Sequence, residues 1–355
     1  MTPVELSRTV LHAVRRAVDA GELSVAVPAR AVVAPPGPGG CGDYATNIAL
    51  QLARPAGQPP RRVAEVLRPY LVDVDGITDV VLTGPGFLNI SLHGTAPAAL
   101  VEEILRHGPR YGYGDGSADG AGGESGRVVR LHCPHDLRAV VVAEAAARIL
   151  RSQGALVRTS CAARLDPAWT AVLGVRVDAQ GPAPAELPVD VRPVPAPADP
   201  LPLGRDAGRW ALLHPAAHDR PRIGDEHLRQ RESNPLFRVR YAHARTRALS
   251  RNAADLHFAA EPGAMTGGTA PDLLAALAGH PRALAAAAAH RAPDRLARHL
   301  VTVADAALPF LPTVLPRGGE KPSATHRARL ALAEAVGAVL AGGLFLLGID
   351  APDHL

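Results

Sequence analysis

The sequence is poor in lysine, cysteine and aromatic residues. Of its 38 basic residues only Lys321 is a lysine, and aromatic residues make up 3% of the 355 positions. The three cysteines, Cys41, Cys133 and Cys161, are odd in number and far apart in the chain. This spacing fits neither a disulfide framework nor a zinc site, and it favours a reducing compartment. So little lysine beside so much arginine, alanine and proline indicates a GC-rich coding bias.

We expect neither a signal peptide nor a membrane-spanning segment. The residues that follow Met1 lack the basic and apolar regions of a signal peptide. The longest uncharged apolar run, 335–349, is shorter than the ~20 residues that span a bilayer, and it predicts a buried helix. We therefore expect a cytoplasmic protein without a membrane partner. The net charge of +4 permits nucleic-acid binding without requiring it.

Residues 1–108 predict a compact α+β domain. A first helix covers about 2–20, and a second starts at Asp43, which is placed to act as its N-cap. Short strands are predicted at 25–27, 31–33, 79–82 and 87–92. The last two strands are joined by Gly84-Pro-Gly86, a typical hairpin signal.

The middle of the chain begins after a glycine-dense stretch at 109–126, which predicts a flexible linker. Residues 127–233 then open with one βαβ unit, the start of a Rossmann-type sheet. Its predicted elements are a strand at 127–131, a helix at 135–153 and a strand at 156–159. Prolines are frequent between Gly181 and Pro202, and they favour an extended or edge path over a central strand.

From residue 234 to the end the helical period dominates, and it predicts a bundle of about five helices. Ser233 or Asn234 can cap the first helix, and Pro235 suits its first position. Five arginines of this helix fall on two opposite flanks: Arg238 and Arg245 on one, and Arg240, Arg247 and Arg251 on the other. A solvated helix with ion pairs is one interpretation. A helix that presents cations to a polyanion is the other.

Residues 234–245, Asn-Pro-Leu-Phe-Arg-Val-Arg-Tyr-Ala-His-Ala-Arg, resemble the opening of the anticodon-binding domain of arginyl-tRNA synthetases. Two further motifs resemble the signatures of the amino-terminal domain of that family. They are Gly42-Asp-Tyr-Ala-Thr-Asn47 and Gly86-Phe-Leu-Asn-Ile90. Residues 347–355 are similar to the terminal motif of the family. The resemblance covers both ends of the chain well and the middle only in fragments.

The resemblance implies a grip on the outer corner of tRNA, near the D-loop, by the amino-terminal domain. It places Tyr44 and Asn47 at the start of a surface helix, and Phe87 and Asn89 on a strand. An aromatic ring can stack on an unpaired base, and an amide can read a base edge. Packing of Tyr44 and Phe87 onto the sheet is the alternative that the residues leave open.

The resemblance also implies that the carboxyl-terminal bundle binds the anticodon arm. The expected phosphate contacts are Arg238, Arg240, Arg245, Arg247 and Arg251. Tyr241 and His243 are expected nearer to the bases. About half of this set is expected to touch RNA, with the rest packing or capping.

The catalytic signature of the family is altered. After the first strand of its catalytic domain the family carries His-x-Gly-His, whose imidazoles contact ATP phosphates. Here the stretch is His132-Cys-Pro-His135, without the glycine that lets a backbone approach a phosphate. We interpret His132 and His135 as a degenerate remnant of the ATP site. The basic Lys-Met-Ser-type loop has no counterpart either, because Lys321 lies in the helical domain.

The predicted function is therefore a non-catalytic tRNA-binding paralogue of arginyl-tRNA synthetase, a pseudoenzyme related to translation. No catalytic residue, metal site or cofactor is predicted, although the parent family uses ATP and Mg. The expected partner is a tRNA, in the first place an arginine-accepting one. Two alternatives stay open. One is arginine–tRNA ligase activity, residual or with a catalytic partner chain. The other is a protein-interaction module that docks a synthetase or a regulatory protein.

The predicted fold class is α+β. It combines a small α+β amino-terminal domain (1–108), the linker (109–126), a remnant Rossmann-type βαβ middle (127–233) and an all-α helical bundle (234–355).

Overall fold

The structure is a computed structural model that describes residues 3–37, 41–92, 96–114, 126–183, 189–263 and 270–355. It divides into two compact units. The first runs to Glu102 and the second, in the main, from Glu103 to Leu355. Each unit has a sheet of its own, and helices and strands both occur, as the mixed fold class predicts.

The first unit packs three helices on an antiparallel sheet. The helices are α1 (Pro3–Asp19), α2 (Ile48–Ala56) and α3 (Pro60–Val72). The strands are β1 (Val33–Ala34), β2 (Tyr44–Thr46), β3 (Ile77–Thr83) and β4 (Phe87–Leu92). Their order is β1-β2-β4-β3, with every neighbouring pair antiparallel. The predicted hairpin is confirmed, since β3 and β4 pair from Thr83 and Phe87 outward.

The core of the first unit lies between the helices and one face of the sheet. Leu6, Val10 and Val14 of α1 are fully buried against Leu88 and Ile90 of β4 within one apolar cluster. Their spacing of four residues along α1 puts them on one side of the helix, as the helical period requires.

Two expectations for this unit are wrong. Asp43 does not cap a helix: its N–H donates to the carbonyl of Ile90 at 2.9 Å, and its carboxylate accepts from Leu92 N at 2.8 Å. These bonds draw the following residues into the sheet, so α2 begins only at Ile48. The strand predicted at 25–27 does not form, although Val25 and Val27 pack against the core.

The boundary between the units falls within α4 (Ala96–His107). The second unit then opens with a parallel sheet whose order is β7-β6-β5-β8. Its strands are β5 (Val128–Cys133), β6 (Leu156–Cys161), β7 (Ala179–Gln180) and β8 (Val189–Asp190). The helix α5 (Leu137–Ser152) connects β5 to β6, which confirms the βαβ unit, and α6 (Pro167–Leu173) follows.

The proline-rich region contributes only an edge to this sheet. Of the described part of 181–202, residues 189–190 form β8, two residues long and paired on one side with β5. This agrees with the expectation that frequent prolines exclude a central strand.

The rest of the second unit is helical. The helices are α7 (Gly204–Leu213), α8 (Pro235–Asp255), α9 (Pro271–Ala278), α10 (His280–His290), α11 (Pro293–Ala307) and α12 (Ala324–Leu347). The sheet and the helices α8–α12 belong to one compact unit, so the predicted boundary at residue 233 stays a prediction. Within the described ranges, α12 is the one helix long and apolar enough to cross a membrane, with a mean hydropathy of 2.1. Since 78% of its apolar window is buried inside the fold, it has the character of a core helix.

Two buried arginines fix the connection between sheet and helices. Arg138 on α5 is fully buried, and its guanidinium donates only to backbone carbonyls. The acceptors are those of Val194, Leu212, Pro215, Ala216 and Asp219. Arg209 on α7 donates to the Glu144 carboxylate at 2.8 Å and to the Leu347 carbonyl at 2.9 Å. Both arginines bind groups that are distant in the sequence, so no local sequence pattern predicts these hydrogen bonds.

Candidate nucleic-acid interface

The helix α8 begins at a buried cap. Asn234 is 5% exposed, and its Oδ1 accepts a hydrogen bond from Leu236 N at 3.1 Å. Its Nδ2 donates to the carbonyls of His227 and Arg229, both at 2.9 Å. Pro235 occupies the first helical position, as predicted. The cap therefore also fixes the preceding segment to the start of α8.

Three of the five predicted arginines of α8 form ion pairs within the second unit. The pairs are Arg238–Asp305 (2.8 Å), Arg240–Asp206 (3.4 Å) and Arg247–Asp353 (3.0 Å). The ion-paired helix is thus the correct interpretation for these three in the free protein. Solvent-exposed pairs contribute only ~0–1 kcal/mol, so a phosphate could replace the half-exposed Asp353 at Arg247 at little cost.

The chain beyond α12 returns to α8. Nη2 of Arg251 lies 3.4 Å from the carbonyl oxygen of Asp353 and 3.3 Å from Nδ1 of His354. The ring of His243 is 4% exposed, and its Nδ1 lies 3.0 Å from the carbonyl oxygen of Pro352. Burial lowers the pKa of His243 below its ordinary value. The ring of His243 fills the contact between helix and tail. The expectation that it lies near RNA bases stays a prediction, and it would require this contact to open.

An aromatic ladder, formed by Phe237, Tyr241 and Arg245, follows one side of α8. The two rings stack with centroids 5.4 Å apart, and Cζ of Arg245 lies 5.9 Å from the centroid of the Tyr241 ring. No carboxylate among the described residues pairs with Arg245. Tyr241 is 36% exposed. Stacked rings beside a guanidinium are the kind of surface on which unpaired bases stack.

Phe237 belongs to this ladder although it was not among the predicted site residues of α8. The signal that could have found it is the spacing of four residues that separates Phe237, Tyr241 and Arg245, which aligns side chains on a helix.

The first unit brings its two family motifs together in one sheet. Tyr44 is the first residue of the short strand β2 and Asn47 follows its last residue. This strand pairs with β4, where Phe87 and Asn89 lie. The expectation that Tyr44 starts a surface helix is wrong, since it is a half-buried strand residue opposite Ile90. Asn47 is half-buried at the start of α2, and its Oδ1 accepts from Gln51 at 3.1 Å.

Phe87 and Asn89, the other two predicted residues, differ sharply in solvent exposure. Phe87 is 39% exposed at the beginning of β4, whereas Asn89 is 2% exposed. Nδ2 of Asn89 donates to the Val81 carbonyl at 3.2 Å and to the Thr83 hydroxyl at 2.7 Å, and its Oδ1 accepts from Cys41 N at 3.4 Å. Asn89 could read a base edge only by releasing these bonds. Phe87 is therefore the accessible member of the pair.

His132 and His135, the two histidines of the stretch 132–135, have separate surroundings. His132 on β5 is 6% exposed, and its Nδ1 lies 2.9 Å from the hydroxyl of Ser160 on β6. His135 is exposed, and its ring stacks on Trp169 of α6 with centroids 4.8 Å apart. One imidazole is held between strands and the other against a helix.

No metal-ligand cluster is present among the residues that the structure describes, where no three His, Cys, Asp or Glu side chains gather suitably. Cys133 and Cys161 are free, buried and opposite each other in strand register. Burial, reinforced by Cys161, raises the pKa of Cys133 to about 12, so it is held as an unreactive thiol. Most of the predicted linker at 109–126 lies outside the described residues.

Comparison with known families matches both ends of the chain. The family model "Arginyl tRNA synthetase N terminal domain" matches residues 5–92, and "DALR anticodon binding domain" matches residues 239–355. These ranges contain the predicted sites around Tyr44 and Phe87, and those on α8 from Arg240 onward.

Curated relatives are similar to part of the chain. An arginine–tRNA ligase of Renibacterium salmoninarum is 41% identical over 171 residues, which is 44% of this chain and 30% of the relative. One of Frankia alni is 44% identical over 113 residues, which is 32% of this chain and 20% of the relative. The matched parts thus span less than a third of the length of these relatives.

Two solved structures are similar over nearly the whole chain. They are an arginyl-tRNA synthetase of Thermus thermophilus (TM-score 0.68, 16% identity, 100% of both chains) and one of Plasmodium falciparum (TM-score 0.70, 8% identity, 99% of both chains). At such low identity the likeness concerns the fold alone.

Proposed function

We propose that the chain is a relative of the arginyl-tRNA synthetases, with an N-terminal and an anticodon-binding domain like theirs, and that it binds tRNA without charging it. The observation that carries the proposal is the exposed aromatic ladder of α8, set among arginines at the start of the anticodon-binding domain. In this proposal the helical domain binds the anticodon arm and the amino-terminal domain binds the outer corner of the tRNA.

The chemistry of α8 supports RNA as the ligand. The ladder offers a flat apolar surface to an unpaired base, and Arg245 and Arg247 offer positive charge on the same helix. A folded protein partner would more often need a larger apolar patch than these two half-exposed rings supply. Phosphates would displace the half-exposed Asp353 from Arg247, while Arg238 and Arg240, about a quarter exposed, would keep their aspartates.

The first unit supports a second contact at the outer face of its sheet. Phe87 presents an exposed ring there, and Thr83 lies beside it on the neighbouring strand. Tyr44 and Asn47 are half-buried and complete the set that the family resemblance suggests. We propose that Phe87 stacks on an unpaired base of the tRNA outer corner.

The altered catalytic region supports the absence of charging. His132 is buried and turned to Ser160, so it does not offer an imidazole to a phosphate. The single lysine, Lys321, precedes α12 in the helical domain. Between β6 and α7 the described residues form two strands of two residues each, the short helix α6 and a 3-10 turn at Leu201–Leu203. In this proposal the chain uses no ATP or Mg.

The test of RNA binding uses charge reversal on α8. The double variant Arg245→Glu/Arg247→Glu is compared with a matched control, Arg220→Glu/Arg222→Glu, whose arginines are exposed and lie outside α8. An electrophoretic mobility-shift titration with an arginine-accepting tRNA should show affinity reduced at least about tenfold for the first variant and little changed for the control. Equal losses in both would remove α8 from the interface.

The arginine–tRNA ligase reaction is the second candidate, because the relatives carry that name and the fold likeness extends over the sheet region. ATP–pyrophosphate exchange with arginine and tRNA separates the two. We expect exchange at background level from the purified chain. Exchange that rises with enzyme concentration and is lost in a His135→Ala variant would favour the ligase.

A further inference from the structure

The first unit has an open cavity of about 620 Å³ between the end of α1 and the end of α3. Its lining consists of Arg16, Glu22, Pro69, Tyr70, Val72 and Asp73. Phe87 and the other predicted RNA contacts are not among these residues. The cavity is therefore separate from the surfaces proposed for tRNA, and its volume lies within the range of ligand-binding pockets.

The lining carries one positive and two negative charges. Arg16 is paired with Asp73 at 3.8 Å, and both side chains are exposed, so this pair is weak. The Glu22 carboxylate accepts a hydrogen bond from the Tyr70 hydroxyl, and it forms no ion pair with any residue that the structure describes. One negative charge is left without a counter-ion, which favours a cationic ligand and disfavours RNA.

The aromatic ring of the cavity already contacts a guanidinium. Cζ of Arg16 lies 5.1 Å from the centroid of the Tyr70 ring. A guanidinium is planar, stacks on aromatic rings and binds a carboxylate through two parallel N–H groups, whereas an ammonium is a compact point charge. The ring of Tyr70 and the free carboxylate of Glu22 beside it therefore suit an arginine side chain better than a lysine.

The rest of the wall is apolar. Val72 is 42% exposed at the end of α3, and Pro69 lies one turn before it. The cavity is open to solvent and wider than a single arginine side chain needs. It thus fits an arginine together with an apolar neighbour, a pair that a segment of a protein supplies.

We propose that this cavity docks a basic segment of a partner protein, with an arginine of the partner at Glu22 and Tyr70 and an apolar residue against Val72. Charge complementarity determines this choice of partner. With the arginine in place, two guanidinium groups face two carboxylates, so the charges of the lining are balanced. The inference does not depend on tRNA binding, because no predicted RNA contact lines the cavity.

The test uses a labelled hexapeptide of alternating arginine and leucine, titrated with the full chain by fluorescence anisotropy. Glu22→Gln removes the carboxylate without an ion pair. Glu65→Gln is the matched control, because Glu65 is exposed on α3 and lies outside the cavity. We expect Glu22→Gln to weaken binding about two- to fivefold, and Glu65→Gln to leave it unchanged. Equal affinities in the two variants would overturn the inference.

A second peptide, with lysine in place of arginine, tests the role of the ring. The unaltered chain should bind the arginine peptide more tightly than the lysine peptide. Tyr70→Leu should remove this preference, because leucine keeps the apolar packing and offers no ring to a guanidinium. The same preference in Tyr70→Leu and in the unaltered chain would contradict the proposed contact.

Two further measurements identify the occupant. Free arginine that displaces the peptide with the same dependence on Glu22 would overturn docking of a protein segment in favour of a small ligand. Self-association of the chain in sedimentation, lost in Glu22→Gln, would overturn it in favour of a second copy. The affinity for tRNA should be equal in Glu22→Gln and the unaltered chain, so absent tRNA binding would contradict the proposed function and leave this inference standing.

Discussion

At the scale of single residues, Tyr241 is the exposed ring of the aromatic ladder. It stacks on Phe237 on one side and meets the Arg245 guanidinium on the other. Tyr241→Ala should lower tRNA affinity about tenfold, because base–aromatic stacking contributes ~1–3 kcal/mol per base. Tyr241→Phe keeps the ring and should retain most of the affinity. Fluorescence anisotropy with labelled tRNA measures both, and an equal loss in the two variants would assign the effect to the hydroxyl instead.

A pair of buried histidines predicts acid sensitivity. The rings of His280 and His299 lie 5.2 Å apart. Burial lowers the pKa of His299 to about 4, assisted by Arg282, and it lowers the pKa of His280 well below its usual 6.5. Both rings are neutral in the folded state, whereas the unfolded state takes up protons below about pH 6.5.

The free energy of unfolding should therefore be independent of these two histidines above about pH 6.5. It should decrease as the pH is lowered from there toward 4. Each such histidine contributes up to about 1.4 kcal/mol per pH unit in that window. His299→Gln should reduce the slope by about one proton. Urea unfolding at a series of pH values provides the slopes, and identical slopes in wild type and His299→Gln would contradict the assignment.

At the scale of elements, the start of α8 depends on one side chain with three hydrogen bonds. Asn234 caps the helix and also holds the carbonyls of His227 and Arg229. Asn234→Ala should lower the free energy of unfolding by about 2–3 kcal/mol, the sum of a lost cap and two lost hydrogen bonds. Asn234→Asp keeps the acceptor and should preserve the cap, at the cost of placing a carboxylate beside two carbonyls. Chemical denaturation measures both, and a loss below about 0.5 kcal/mol in Asn234→Ala would show that the cap is dispensable.

The end of α12 is fixed by a glycine. Gly348 has a φ of +73°, and a Cβ at this position would meet the guanidinium groups of Arg148 and Arg209. Gly318 also has a positive φ, +58°, but faces open space. Gly348→Ala should therefore destabilise the protein clearly more than Gly318→Ala, since both carry the backbone strain and only the first carries the clash. Thermal unfolding of the two variants gives the comparison, and equal shifts would mean that the arginines can move aside.

Caps, turn residues and the helical period predicted those helices and strands whose ends are set by nearby residues. Asn234, Pro235 and the helical period defined α8, and Gly84-Pro-Gly86 defined the β3–β4 hairpin. The sequence misled at Asp43, because an aspartate before an apolar period has the pattern of a cap whether or not a sheet captures it.

The candidate site was less predictable than the elements. The pairing of Arg247 with Asp353, and the burial of His243 under Pro352, join residues more than one hundred positions apart. No periodicity encodes such contacts. The burial of Asn89 also depends on neighbouring strands and on the segment at Cys41, so a motif match alone could not decide its access.

At the scale of the whole molecule, the net charge of +4 understates the local charge of α8. Arginines are concentrated on this helix, while several of the balancing aspartates lie on other elements at its side. A polyanion that approaches the ladder meets Arg245 first, since Arg238 and Arg240 are about a quarter exposed and Arg247 lies on the opposite flank of α8. Binding should therefore rest on few phosphate contacts together with stacking.

The most direct test of tRNA binding without charging is an equilibrium titration of the full chain with labelled tRNA at several salt concentrations. An arginine-accepting tRNA and an unrelated tRNA are compared, and ATP–pyrophosphate exchange is followed on the same preparation. We predict saturable binding of tRNA. The logarithm of the association constant should fall with the logarithm of the salt concentration, with a slope of about −2 to −4, and pyrophosphate exchange should stay at background. Absent or salt-insensitive binding, or exchange by the purified chain, would contradict the account.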